Sequence, residues 1–583
     1  MPYPGSARAI FNSLKTSAAL VRSLYYSSVT PPVSITTRFV PRRAFSIMAD
    51  PHENLFNYTA GRWVFNDALR LAERRLVFDV DGLCGLAAQS VGRNPADVVK
   101  ISKLAEGGFN RTFLITLADD FQMVARVPYP ATVPKHYAVA SEAATVEFLR
   151  SSGLPVPKIY GHSPASDNAA KTEYIFMEFI RGTKLSDIWL ELGETDLVPI
   201  LRQLTQLESQ MMSISFPAGG SLYYAHDLEK LTGKPPMILL KDDKRFCVGP
   251  DTRLPMWYGR RSQLAVDRGP YENAEAALVA GARKELAYLE QFGQPLLPFR
   301  RERRDGYQYQ EQLPSAHIEN LKRYLLITPS LVPRNPALNR FCIRHPDLQE
   351  SNIIVRRSDS GWKVVSLLDW QHASILPLFL LAGVPQRFQN HDDPVSQSMT
   401  PPSLPENFDN LEEPEQIQAE DVYRRRLIHY HYVKSTEEYN KPHYDAMTDY
   451  MCVLRSRLCN CASNPWEGET LELKVALIRA MERWKTLTGE SMHMCPLEFD
   501  DEDLRETTKL NEAQEKADET FNKWQDMLGL GPEGWVPAQF YKEALEFCKQ
   551  MKQRGLMEAE SEEDREEIKA HWPWDDMDEE KYM

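Results

Sequence analysis

The first 49 residues contain no aspartate or glutamate. They do carry Arg8, Lys15, Arg22, Arg38, Arg42 and Arg43, among many serines and threonines. An acid-free, arginine- and serine-rich start is the composition of a mitochondrial presequence, and it excludes an ordinary globular N-terminus. Ser6 to Tyr26 fits a basic amphipathic helix, and Arg43-Ala44-Phe45-Ser46 resembles a matrix-processing site cut before Ser46. Removing residues 1–45 takes the net charge from −14 to −20. The expected location is therefore the mitochondrion, in its matrix. Cysteine is also sparse: eight are scattered through 583 residues. That excludes a disulfide framework and suits a reducing compartment. Cys452, Cys459 and Cys461, with His429 and His431, match no usual zinc spacing and are expected as scattered helix residues. The apolar run from Ile375 to Val384 is too short to span a bilayer, so no transmembrane segment is expected. The acidic balance excludes wholesale nucleic-acid binding. No internal repeat is present, and the sequence leaves oligomeric state open.

What is present is concentrated in Phe341 to Gln371. Ile353 to Val355 is an apolar run, RRSDSG is a turn, and Trp362 to Leu368 is a second β-rich run; together they predict an antiparallel hairpin. Asn352 precedes the first strand and Asp369 follows the second, so the hairpin places them side by side. Asp347 enters the same end five residues upstream of Asn352. Two carboxylates and a carboxamide form a hard oxygen donor set that suits Mg²⁺ completed by substrate phosphates.

His345-Pro-Asp347-Leu-Gln-Glu-Ser-Asn352, followed by Leu368-Asp369, resembles the catalytic core of the aminoglycoside and choline phosphotransferase family, a branch of the protein-kinase-like fold. The resemblance covers about residues 100 to 390. It implies an α+β bilobal architecture, with a β-rich N-lobe and a mostly helical C-lobe extended by a long helical C-terminal part. It also implies ATP and Mg²⁺ as cofactors and a small-molecule hydroxyl as acceptor. Asp347 would be catalytic, Asn352 and Asp369 would hold the metal, and His345 would brace the loop.

Upstream, Lys100 to Phe121 reads as two strands around Gly107-Gly108-Phe109-Asn110. Glycines there let backbone N–H groups approach a phosphate, and the resemblance makes Gly107, Gly108 and Asn110 nucleotide-loop candidates. The strand Met123 to Pro128 carries Arg126 where kinase-like folds place a lysine. Arginine keeps the charge and can clamp phosphate oxygens with a fork of donors. Its expected helix partner is Glu142, in Ser141 to Arg150; a plain surface pair is the alternative. Tyr174 to Ile180 resembles the hinge strand, with backbone around Glu178 facing the adenine.

The expected organisation is a presequence over 1–45, an arm and helix over 46–99, the N-lobe over 100–181, the C-lobe with its helical extension over 182–555, and a solvated acidic tail over 556–583. Pro51 to Asn66 reads as an extended arm. Residues 245–268 could line an acceptor pocket or simply pack as loop. The functional reading is ATP-dependent phosphoryl transfer to a hydroxyl. A nucleotide-binding pseudokinase and a nucleotidyl transferase remain open beside it.

Overall fold

The computed structural model describes residues 53–236, 238–359, 361–489 and 494–583. The expected presequence lies outside them. The N-lobe is a five-stranded sheet of β2 (Val98–Glu106), β3 (Asn110–Leu117), β4 (Gln122–Pro128), β5 (Ile159–Ser163) and β6 (Tyr174–Glu178), in the spatial order β2-β3-β4-β6-β5. Every neighbouring pair is antiparallel. Alternation in β3 (Phe113, Ile115 and Leu117 inward) matches a strand buried on one face. That face is covered by α2 (Val80–Ser90), whose Leu83 and Ala87 pack against Phe113 and Ile115.

The segment before α2 departs from the extended arm expected over Pro51 to Asn66. A helical turn spans Glu53–Phe56, and β1 (Gly61–Trp63) pairs with a strand from the far end of the chain. α1 (Asp67–Arg74) follows.

Across the sheet lies α3 (Tyr137–Ser151), which Gly153 closes in the left-handed region at φ 85°. After β6 the chain forms β7 (Thr183–Lys184), which adds to the hairpin of residues 353–367. Gly182 permits this approach: a Cβ there would sit 2.5 Å from Ile354 Cγ2 and 2.8 Å from the Val355 carbonyl oxygen.

The C-lobe core is built on α4 (Glu194–Ser213), whose Leu197, Ile200, Leu201, Leu204 and Met211 face inward at helical spacing. The hairpin packs on it. β8 (Phe341–Ile343) enters the loop over 344–352, β9 (Ile353–Ser358) and β10 (Gly361–Leu367) form the hairpin, and β11 (Ile375–Pro377) returns to pair with β8. The Gln203 amide of α4 accepts from Val364 N–H at 3.0 Å and donates to the Trp362 carbonyl at 2.9 Å, pinning β10 in place.

A second core joins α5 (Ala274–Phe292), α6 (Pro314–Leu331), α8 (Tyr450–Ser463) and α9 (Leu471–Glu482); α7 (Glu413–Tyr439) packs on α4 instead. C-terminal to these helices lie α10 (Asp501–Leu528), β12 (Trp535–Pro537), α11 (Tyr541–Glu558) and α12 (Glu562–His571). The tail expected as a solvated run is folded: Trp572, Trp574 and Tyr582 are buried. Its acids meet distant bases, as in the Glu579–Arg70 pair at 2.6 Å. Among the described residues, no helix is long and apolar enough to cross a membrane.

Candidate active site

The hairpin delivers its two ends as the sequence predicts. Ile353 pairs with Leu367, and Leu368 N–H donates to the Asn352 carbonyl at 2.8 Å. Asn352 and Asp369 therefore flank one short span of backbone. Asp369 sits in the left-handed region at φ 65°. That region is uncommon for non-glycine residues and best tolerated by Asp and Asn. Its carboxylate is thereby turned toward the N-lobe.

The Asn352 amide donates to the Asp347 carbonyl at 2.9 Å and to its carboxylate at 3.1 Å. Gln349 donates to the same carboxylate at 2.5 Å. Asp347 itself is exposed, so an approaching hydroxyl can reach it. His345 holds this loop to the hairpin. Its Nε2 bonds the Leu368 carbonyl at 2.8 Å and its Nδ1 accepts from Asp347 N–H at 3.1 Å, which sets an Nε2-protonated tautomer. Burial lowers the pKa of His345, so the ring is a neutral brace. Arg344, just before it, is bound to Glu208 at 2.7 Å, to the carbonyls of Leu381 and Gly383 at 2.8 Å each, and to Tyr432 at 3.1 Å.

Arg126 is the second centre. It is buried on β4, which rules out the plain surface pair. Its Nε lies 3.3 Å from Glu142, while one terminal nitrogen donates to Asp369 at 2.6 Å and to Gln371 Oε1 at 3.0 Å. Asn110 lies beside the same terminal nitrogen of the guanidinium. Asn110 and Gln371 also touch amide to amide. One cation thus faces two carboxylates. Burial pushes Glu142 up to about 7 against the pull of Arg126, with the Asp369 charge adding to the rise. Asp369 shifts the other way: burial raises it, but the Arg126 charge and hydrogen bond outweigh that and hold it below its ordinary value. Its side chain is 43% exposed, so it keeps an open edge.

The structure thus joins Asn110, Arg126, Glu142 and Asp369 in one cluster and Asp347 with Asn352 in a second, adjoining one. Gly107 and Gly108 form the turn above Asn110, and a Cβ on Gly108 would meet open space. Glu178 stands apart from both clusters. Its carboxylate accepts from Lys158 N–H at 3.2 Å, and its own N–H donates to the Lys158 carbonyl at 2.8 Å, so it shapes the hinge.

Sequence reading missed Gln371, which ties Asn110 and Arg126 to the Asp369 loop. It also missed His372, whose ring meets Phe109 of the Gly-Gly turn at 5.2 Å. Their closeness to Asp369 in D-W-Q-H was the available signal. Residues 253–256 of the uncertain 245–268 segment line a cavity of about 370 Å³ beside His345, while Trp257 and Arg268 pack on each other.

The two lobes carry this motif pair at their cleft, and residues 100–379 match the model of the phosphotransferase enzyme family. Among relatives, the chain is similar to a subtelomeric hrmA-associated cluster protein of Aspergillus fumigatus: 29% identical over 516 residues, covering 82% of this chain and 97% of that one. It is also similar to altered inheritance of mitochondria protein 9, mitochondrial, of Saccharomyces cerevisiae: 23% identical over 605 residues, covering 88% and 92%. Of solved structures, the ADP-bound aminoglycoside phosphotransferase APH(2'')-Ib aligns at 12% identity and TM-score 0.32, over 72% of this chain and 95% of that one.

Proposed function

We propose that the protein is an ATP-dependent phosphotransferase acting on a hydroxyl of a small molecule in mitochondria. The observation that carries this reading is the hairpin end: Asp369 meets Arg126 at 2.6 Å, and Asn352, whose carbonyl accepts from Leu368 N–H, meets the exposed Asp347. The donor set is hard oxygen, and Asp369 is held ionised with one edge open; both fit Mg²⁺. Asn352 and Asp369 would hold that ion, which supplies charge neutralisation on the nucleotide phosphates when bound. Asp347 orients the acceptor hydroxyl and takes its proton as the oxygen bonds to the γ-phosphorus of ATP and the bond from that phosphorus to the bridging oxygen breaks, releasing ADP. Arg126 grips phosphate oxygens, and Glu142 holds Arg126. Asn110 with the Gly107-Gly108 turn covers the phosphates, and backbone beside Glu178 meets the adenine.

The mitochondrial location, and the matrix within it, rests on the acid-free N-terminus and on relatives named mitochondrial. Residues 1–45 are the proposed presequence. Finding Met1 at the N-terminus of protein isolated from mitochondria refutes that part.

A second reading has its own support. Arg126 is bonded to Asp369 at 2.6 Å, which occupies a proposed metal ligand and suits a pseudokinase. ATP labelled at the γ or at the α position separates the readings. Transfer of γ label to a small molecule is the expected result; α-label transfer indicates a nucleotidyl transferase, and binding without transfer indicates a pseudokinase.

A further inference from the structure

Resting on the phosphotransferase reading, we infer that the acceptor is an uncharged, polyhydroxylated small molecule of monosaccharide size, selected by Asn460 and Asn464. The cavity of about 370 Å³ shares His345 and Pro346 with the rim that carries Asp347. It is the space next to the catalytic loop on the C-lobe side.

The charges in its wall are spent. Arg253 is paired with Asp251 at 2.7 Å, and that carboxylate has four donors. Oδ1 accepts from Arg253 N–H at 3.0 Å and the Ser374 hydroxyl at 2.7 Å, and Oδ2 accepts from Arg253 Nε at 2.8 Å and the Tyr271 hydroxyl at 3.1 Å. A carboxylate has about four lone-pair sites, so none is left over. Arg344 is engaged by Glu208, Tyr432 and two carbonyls, as above. His372 gives Nδ1–H to the Thr252 carbonyl at 2.8 Å, and burial lowers its pKa, so it is neutral.

A polycationic acceptor would thus enter without an unspent carboxylate apart from Asp347, which serves the reacting hydroxyl. An anionic acceptor would find no unpaired cation. Burying either charge uncompensated costs several kcal/mol.

What the wall does offer is neutral. Asn460, on α8, and Asn464, its C-cap, lie one helical turn apart, and both are exposed. Neither carboxamide is hydrogen-bonded within the chain among the described residues. Each can donate and accept, which matches vicinal hydroxyls that do both. Met256, Leu376, Leu380 and Leu381 provide an apolar floor for a C–H face. Both asparagines lie beyond residues 100–379, so the C-terminal helices would set specificity.

The test incubates the full-length protein with Mg-ATP labelled at the γ position and a mitochondrial small-molecule extract. Labelled products are separated, dephosphorylated, and the released acceptor is assigned a charge by ion exchange. A neutral acceptor is expected. An amine or a carboxylate acceptor overturns the inference while leaving phosphotransfer standing. No labelled product of any charge defeats the phosphotransferase reading itself.

With the acceptor in hand, Asn460→Ala and Asn464→Ala are each expected to raise its KM about tenfold, the order of one or two lost hydrogen bonds. The KM for ATP should stay within about twofold. Unchanged acceptor KM in both variants also overturns the inference.

Discussion

The two sides of the cleft are built by opposite rules. On the side proposed for the nucleotide, one buried guanidinium is shared among Glu142, Asp369 and Gln371, with Asn110 beside it, and charge is crowded. On the side proposed for the acceptor, the charges of the cavity wall are closed off by local partners among the described residues, and the free hydrogen-bonding groups are neutral. A phosphate-binding surface must hold charge ready and so tolerates strain such as the left-handed Asp369. A surface for an uncharged acceptor has to hide charge, which Asp251 and Glu208 do.

The largest expected effects test whether chemistry sits where these sides meet. Asp347→Ala should lower kcat about 10²- to 10⁴-fold, the usual worth of a general base, and leave nucleotide affinity unchanged. Its carboxylate is exposed and, among the described residues, bonded only to Gln349 and Asn352, so the fold should survive. A loss below tenfold removes Asp347 from the chemistry. Asp369→Ala should abolish stabilisation of the protein by Mg-ATP in a thermal-shift assay. If that stabilisation persists, Asp369 is not the metal ligand.

Next in size is Arg126. Its loss leaves Glu142 buried beside Asp369 without a cation, so Arg126→Ala should weaken ATP binding or turnover about 10²-fold. Arg126→Lys should stay within about tenfold of wild type or exceed it, because a lysine keeps the charge but drops the fork that now reaches Asp369. Nucleotide affinity and turnover both unchanged in Arg126→Ala would mean that the guanidinium only ties the lobes together.

The same contrast governs what the sequence disclosed. β2, β3, β4, β6, α3 and the hairpin were legible because each has its own periodicity and turn residues, and the motif spacing placed Asp347, Asn352 and Asp369. The cavity proposed for the acceptor was legible only in part, as one of two readings of residues 245–268. Its wall draws on residues 253–256, 372–381 and 460–464, and no local pattern announces that these meet. Residues 51–66 and the tail were misjudged for a related reason. A run such as Glu558 to Met583 looks solvated until its partners are known. Here they are Arg70, Arg301 and Asn66, more than 270 residues away.

The smallest effect expected is a pH dependence, and it sharpens the comparison because Glu142 belongs to the crowded side. Glu142 ionises at about 7 in the folded protein against an ordinary 4.5. Between those values the folded state binds a proton that the unfolded state has released. Ionising Glu142 therefore costs stability, and the contribution present below 4.5 is lost as pH rises through 7. Function runs the other way. Ionised Glu142 competes with Asp369 for the guanidinium, so Asp369 becomes freer as pH rises, and turnover should increase severalfold from pH 6 to pH 8. Glu142→Gln cannot ionise, so that limb should vanish from kcat, and the fall in Tm between pH 5 and pH 7 should become shallower. Removing the Asp369 charge takes away one cause of the shift, so Asp369→Asn should move the stability transition toward lower pH. A kcat limb near pH 7 that survives in Glu142→Gln would assign it to another group and end this role for Glu142.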